Sequence, residues 1–584
     1  MTANTPVAPI RRFVPADLDV ADWAQLEPLY ADLFHRGLGT DDALEAFLQD
    51  FSELSAVVSE YGSRRAIDHS RHTDDAELEQ AYMHVVRELQ PKIKPWVDKL
   101  QRRLLESPGL PTLLENQPRL TMLEREWRNA VELFREDNVP LEAELATLAS
   151  EYDKLVGKML VEYDGKTQTL QQLARYQDET DRDVREATWR LSTSRRLEDR
   201  DAVEAIFEKQ LGLRKQVAAN AGFADYRGYA WRDRERFDYT PADCEAFHDA
   251  VEAVVLPRLR EIDQQRRAAL GVESLRPWDG SVDVKGRPPL RPFPPDDTEK
   301  LRRDTRAALA GVSDELASMF DRLQPDRNLD LESRPGKRAG GYQSSLSEIG
   351  EPFIFMNAAG LQRDVETLLH EAGHAFHFKW AFESEPLIFL RHAPLEFCEV
   401  ASMSMELVTL PKYDVFYAHG DNAATQANAD RARRAQLEGT LRVLPWVATI
   451  DAFQHWLYTH EGHSRDERRD AWLATLDRFS TGVTDWSGLE AEREAMWHRQ
   501  LHLFHYPFYY IEYGIAQLGA VGLWKRYRED PAAAIADYKA ALSLGNSKPL
   551  PELFAAAGLP FDFSKSTIEP LAELIATELD RLPA

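Results

Sequence analysis

A chain of 584 residues, 43% apolar and 29% charged, exceeds one ordinary domain and can bury a sizeable core. Its 71 Lys and Arg against 98 Asp and Glu leave a formal charge of −27, which disfavours nucleic acid and anionic membrane surfaces as partners. No stretch approaches the roughly 18 apolar residues that span a bilayer, the first residues lack a signal-peptide run, and neither Cys244 nor Cys398 belongs to a Cys-x-x-Cys pair, so a reducing cytoplasm without structural disulfides is expected.

From residue 16 to about 230 the apolar residues recur at helical spacing with charges between them, over 23–51, 74–105, 122–137, 141–161 and 181–219. This predicts an antiparallel helical array with turns at 107–109 and at Asp164-Gly165. No catalytic constellation is visible in it. Helices resume at about Tyr239, with a cap at Thr240 or Asp243, and run to about Leu270. Residues 275–295 are dense in Pro and Gly and read as an extended, packed loop. Around 334–345 and 352–357 the pattern turns to short β-prone runs, read either as a small sheet whose edge can pair with an extended backbone or as a plain hairpin.

The stretch from Asp364 to His377 predicts a helix, with Asp364 as N-cap, Glu366 in the first turn, and Val365, Leu368, Leu369, Ala372 and Phe376 as its apolar part. It carries His370, Glu371 and His374 in the order HExxH. Residues four apart stand one turn above each other, so both imidazoles can share one metal ion, and Glu371 can reach a water there without ligating. That is the geometry of a zinc hydrolase.

A catalytic zinc has three protein ligands and one open position, so a further ligand is expected downstream. Pro394 opens a second helical stretch through Leu407, in which Glu396, Glu399 and Glu406 share one face. Carboxylates on an otherwise apolar helix are costly to bury without a cation. Glu399 is assigned as the third ligand. Glu396 and Glu406 are candidates to orient a ligating histidine. Residues 424–457 are strongly helical, and His455 reads as a satisfied core histidine. An aromatic cluster follows at 502–513, and 531–584 read as helices without visible chemistry.

The segment His370-Glu-Ala-Gly-His-Ala-Phe-His377, with Glu399 placed 25 residues beyond His374, resembles the thimet oligopeptidase and oligoendopeptidase F family of zinc metallopeptidases. Gly340-Gly-Tyr342 and Pro507-Phe-Tyr-Tyr-Ile-Glu-Tyr513 are similar to the oligoendopeptidase F branch. The resemblance runs from about residue 200 to about 570. It implies a mostly α, neurolysin-like helical clamshell with a deep channel and a small β-sheet beside the HExxH helix. In it, 1–200 would form a channel wall and 201–584 the catalytic domain.

By this resemblance His370, His374 and Glu399 bind one zinc ion, Glu371 is the general base, and tyrosines with a histidine of 502–513 stabilise the oxyanion. Tyr506, Tyr510 and Tyr513 are spaced like the family's tyrosine run, with Tyr506 and Tyr513 taken as catalytic; a register using Tyr509 is open, and His502 and His505 compete for the histidine role. The implied activity is endopeptidase action on oligopeptides, without nucleic-acid or membrane partners. Metallo-exopeptidase action and a non-catalytic helical peptide-binding protein are the alternatives.

Overall fold

Capping side chains start the helices where the sequence puts them: Asp22, Thr40, Asp75 and Asp181 stand in extended backbone ahead of an amphipathic run, and each accepts a first-turn N–H. The computed structural model describes residues 11–583 apart from 326, 335, 339 and 419–421. Residues 1–10, which hold most of the leading run read above as lacking a signal peptide, lie outside the described residues. Helix accounts for 70% of the structure, with small sheets. Among the described residues no helix is long and apolar enough to cross a membrane.

Some long amphipathic runs are divided. Residues 23–51 contain helix Trp23–His35 and the start of helix Asp41–Arg71, because Gly37, Gly39 and the Thr40 cap interrupt the pattern. Residues 181–219 divide into Arg182–Glu198 and Arg200–Asn220. Asp164-Gly165, expected as a turn between helices, is instead the tip of a β-hairpin pairing Leu160–Tyr163 with Lys166–Thr169. Both tip residues have positive φ, 54° and 67°, the twist that suits two-residue hairpins and that Asp-Gly adopts readily.

The chain forms two compact units, each assembled from three separate stretches. One comprises Met1–Glu132, Arg291–Ala429 and Gly519–Phe561. Its N-terminal helices close over a core that includes Phe47, Phe51, Leu100 and Trp127. Its sheet has three strands, Leu329–Glu332, Tyr342–Leu346 and Glu351–Ala358. The last lies in the middle, parallel to the first and antiparallel to the second, and it is buried along nearly its whole length, as a strand covered on both faces should be. Tyr342–Leu346 is therefore an edge strand. The expected small sheet beside the HExxH helix is present.

The other unit comprises Leu133–Leu290, Asp430–Leu518 and Asp562–Ala584. Phe207, Trp472 and Trp497 are among its fully buried side chains, and the Phe207 and Trp497 ring centroids are 4.9 Å apart with the rings tilted at 60°. Phe504 and Phe508 of the aromatic cluster belong to its core.

Candidate metal centre

The HExxH helix runs from Gln362 to Ser384. Asp364, expected as the N-cap, stands inside the first turn, where its carboxylate accepts the N–H groups of Ala359 and Leu361 at 2.7 and 2.8 Å. It thus secures the chain entering the helix. Val365, Leu368, Leu369, Ala372 and Phe376 are buried, which fixes the rotation of the helix and leaves His370 and His374 on one stripe, ring centroids 4.9 Å apart.

The helix Leu395–Val408 packs against it, and Gly373 makes the approach possible. A Cβ at Gly373 would lie 2.6 Å from both Ala401 O and Ser402 Cα, so only glycine lets the two backbones meet. Tyr538 holds the far side of that contact by donating its hydroxyl to Ala401 O at 2.7 Å.

This approach places Glu399 under both imidazoles: its Oε2 is 3.4 Å from His370 Nε2 and 3.7 Å from His374 Nε2. Ser402 Oγ donates to the same oxygen at 3.0 Å. His370 Nδ1 donates to Glu406 Oε1 at 2.7 Å, which leaves the Nε2 lone pair pointing at the centre. Glu406, rather than Glu396, is therefore the carboxylate that orients His370; Glu396 is buried on the same helix.

The donor set fits a zinc-type ion. Bonds of about 2.0–2.2 Å at tetrahedral angles put neighbouring donor atoms roughly 3.3–3.6 Å apart, and the three ligand atoms here lie within 4.8 Å of one another. The electrostatics agree. Burial would lower His370, but its bonds to Glu399 and Glu406 hold it well above the ordinary imidazole value, so the two carboxylates make the centre favourable to positive charge. Burial takes His374 down to about 4, keeping it neutral with a lone pair to give. Burial would raise Glu399, yet His370 and His374 hold it down at about 2. Losing the orienting carboxylate should loosen the ion: Glu406→Ala is expected to weaken zinc affinity about 10–100-fold, measured by competition against a chromogenic chelator.

Glu371 follows His370 on the helix and is buried. Burial raises its carboxyl to about 7, opposed by His370 and by an N–H bond from Gln343 of the edge strand. Ser402 and Gln343 were missed from sequence. The first carries a signal, an i+3 position relative to Glu399; the second carries none, since only the sheet brings it near. His377, the last histidine of the segment, is buried with its Nε2 unpartnered among the described residues, and lies outside the ligand group.

Tyr506 and Tyr513 belong to the other unit. Tyr506 is exposed, and Tyr513 Oη is 3.5 Å from His502 Nε2. The His502 ring also packs against Tyr509 and Tyr510, whereas His505 is engaged by Asp153 at 2.9 Å.

Residues 175–572 match the family description Peptidase family M3, and residues 13–134 match Peptidase M3 N-terminal domain. An Oligoendopeptidase F homolog of Borreliella burgdorferi is 23% identical over 353 residues, 58% of this chain and 56% of the relative. Oligopeptidase PepF of Bacillus subtilis is 24% identical over 276 residues, 47% of this chain and 40% of the relative. The chain thus spans about half the length of these curated relatives. A solved structure, PZ peptidase A with inhibitor 2, superposes with a TM-score of 0.88 at 25% identity, covering 98% of this chain and 99% of that one.

Proposed function

Because this chain belongs to peptidase family M3, we propose that it is a zinc-dependent endopeptidase that hydrolyses short oligopeptides, with Glu371 as general base. The observation that carries the reading is the convergence of His370, His374 and Glu399 donor atoms within 4.8 Å, one residue along the helix from a buried carboxylate. These three residues would hold the ion. Zinc, when bound there, supplies Lewis acidity that polarises a carbonyl and lowers the pKa of water from about 15.7 toward about 7.

Glu371 handles the proton. A carboxyl raised to about 7 by burial is a far better acceptor than a solvated one near neutral pH. It takes the proton of the attacking water and returns it to the departing amine nitrogen. The Gln343 N–H keeps the carboxylate oriented meanwhile. The edge strand Tyr342–Leu346 offers backbone N–H and C=O groups on its outer side, which can hold an extended peptide irrespective of its side chains. Gly341 of the preceding turn lies close against Thr367 of the HExxH helix and Phe355 of the central strand. We assign Tyr506 and Tyr513 as donors to the developing oxyanion; losing one such donor costs about 10²–10³ in kcat.

A peptide blocked at both ends separates the possibilities. Internal cleavage that a chelator abolishes and zinc restores is the expected result. Cleavage of free-ended peptides alone would make the enzyme an exopeptidase. A folded, zinc-loaded chain that cleaves neither would be a binding protein.

A further inference from the structure

A second group of ligand-type side chains lies wholly within the other unit. Helix Pro241–Ala250 carries Cys244 and His248, and helix Asn422–Thr459 carries Asp451 and His455. Each pair is spaced i, i+4, so each helix offers both side chains from a single stripe. All four residues are buried, with exposures of 0%, 2%, 0% and 7% in that order. The ligand atoms of Cys244, Asp451 and His455 lie within 4.8 Å of one another. Asp451 Oδ2 is 2.9 Å from His248 Nε2 and 3.2 Å from His455 Nε2, and the two imidazole centroids are 5.8 Å apart.

A Cys, His and Asp together could suggest a nucleophile, but a thiol with no exposed surface cannot meet a substrate. A dry hydrogen-bond network is the other reading, and such networks persist when every member is satisfied. Here Asp451 Oδ1 has no hydrogen-bond partner among the described residues, and His455 Nε2, 3.2 Å from Asp451 Oδ2, is poorly aligned for a bond to it. His455 is a buried histidine, as read from the sequence, with Nδ1 3.3 Å from Arg227 Nη1. An unmet carboxylate oxygen and a poorly bonded ring nitrogen, grouped with a thiol, share one remedy: a cation that takes lone pairs from all three residues.

We propose that Cys244, Asp451 and His455 form a second, structural zinc site that ties helix Pro241–Ala250 to helix Asn422–Thr459, with His248 bonded to Asp451 Oδ2 beside it. A thiolate and a carboxylate balance the charge of a divalent ion while both imidazoles stay neutral. The three ligands are buried away from any substrate, so the site binds without catalysing. Binding releases the thiol proton, and burial requires that the ion enter during folding. Loading Nε2 of His455 moves its proton to Nδ1, which Arg227 Nη1 approaches at 3.3 Å; Arg227 must then turn toward Glu245, already 3.9 Å away.

Cobalt substitution tests this without reference to peptidase activity. The His370/His374/Glu399 centre holds no sulfur, so a thiolate-to-cobalt charge-transfer band in the full chain produced with cobalt reports the second site alone. The expected result is that band together with a second equivalent of metal per chain. Cys398→Ser should keep both; Cys244→Ser should lose the band and that equivalent. A cobalt-saturated wild-type chain without the band, or a band that Cys398→Ser removes, overturns the proposal. Should Cys244→Ser fail to fold, the wild-type spectrum and the Cys398→Ser spectrum still decide.

Discussion

Glu371→Gln should lower kcat about 10²–10⁴-fold, equivalent to about 3–5 kcal/mol of transition-state stabilisation, with zinc content unchanged and KM little altered. The amide has the volume of the carboxylate, so the packing of the HExxH helix survives, and its oxygen can still accept the Gln343 N–H that Glu371 accepts. What it cannot do is take a proton from water. Because the proposed ligands His370, His374 and Glu399 are untouched, a fall in rate at full zinc occupancy isolates proton transfer from metal binding. Steady-state kinetics beside metal analysis of the same preparation gives the answer. A zinc-loaded Gln variant with wild-type kcat would remove Glu371 from the role of base.

Gly373→Ala should damage stability, zinc affinity and rate together, although residue 373 touches neither metal nor substrate. Its new Cβ would meet Ala401 O and Ser402 Cα at 2.6 Å. Both are backbone atoms and cannot swing aside, so relief requires the two helices to part by roughly 1 Å to regain contact distance. Overpacking of this kind costs about 1–3 kcal/mol. Ser402 is also the residue that fixes Glu399, so a shift there moves the proposed third ligand away from the two imidazoles. A displacement of about 1 Å can lower activity about 10²-fold. Thermal unfolding, zinc competition and kcat/KM measured on one preparation should all fall; unchanged values in all three would mean that the helices do not meet this closely in solution.

These two positions differ in how visible they are from sequence. Glu371 stands out because HExxH is a local pattern: helical periodicity alone sets His370, Glu371 and His374 relative to one another. Gly373 lies between them, but nothing local says why it must be glycine. Its reason is a backbone some 28 residues along, on another helix.

The same division runs through the rest of the molecule. Sequence by itself determined a mostly helical chain, the HExxH helix, the next helix with Glu399 on its inward face, and the small sheet ahead of them, because periodicity, caps and the burial of carboxylates are properties of short stretches. It did not determine that Glu406 rather than Glu396 orients His370, since both share a face and only the seating of one helix on the other chooses between them. Nor did it join Cys244 and His248 to Asp451 and His455, His248 and Asp451 being 203 positions apart. Spacing along a helix is fixed by its own hydrogen bonds; which stripe of one helix meets which stripe of another is fixed by packing among residues far apart in the chain, and only the tertiary structure contains that.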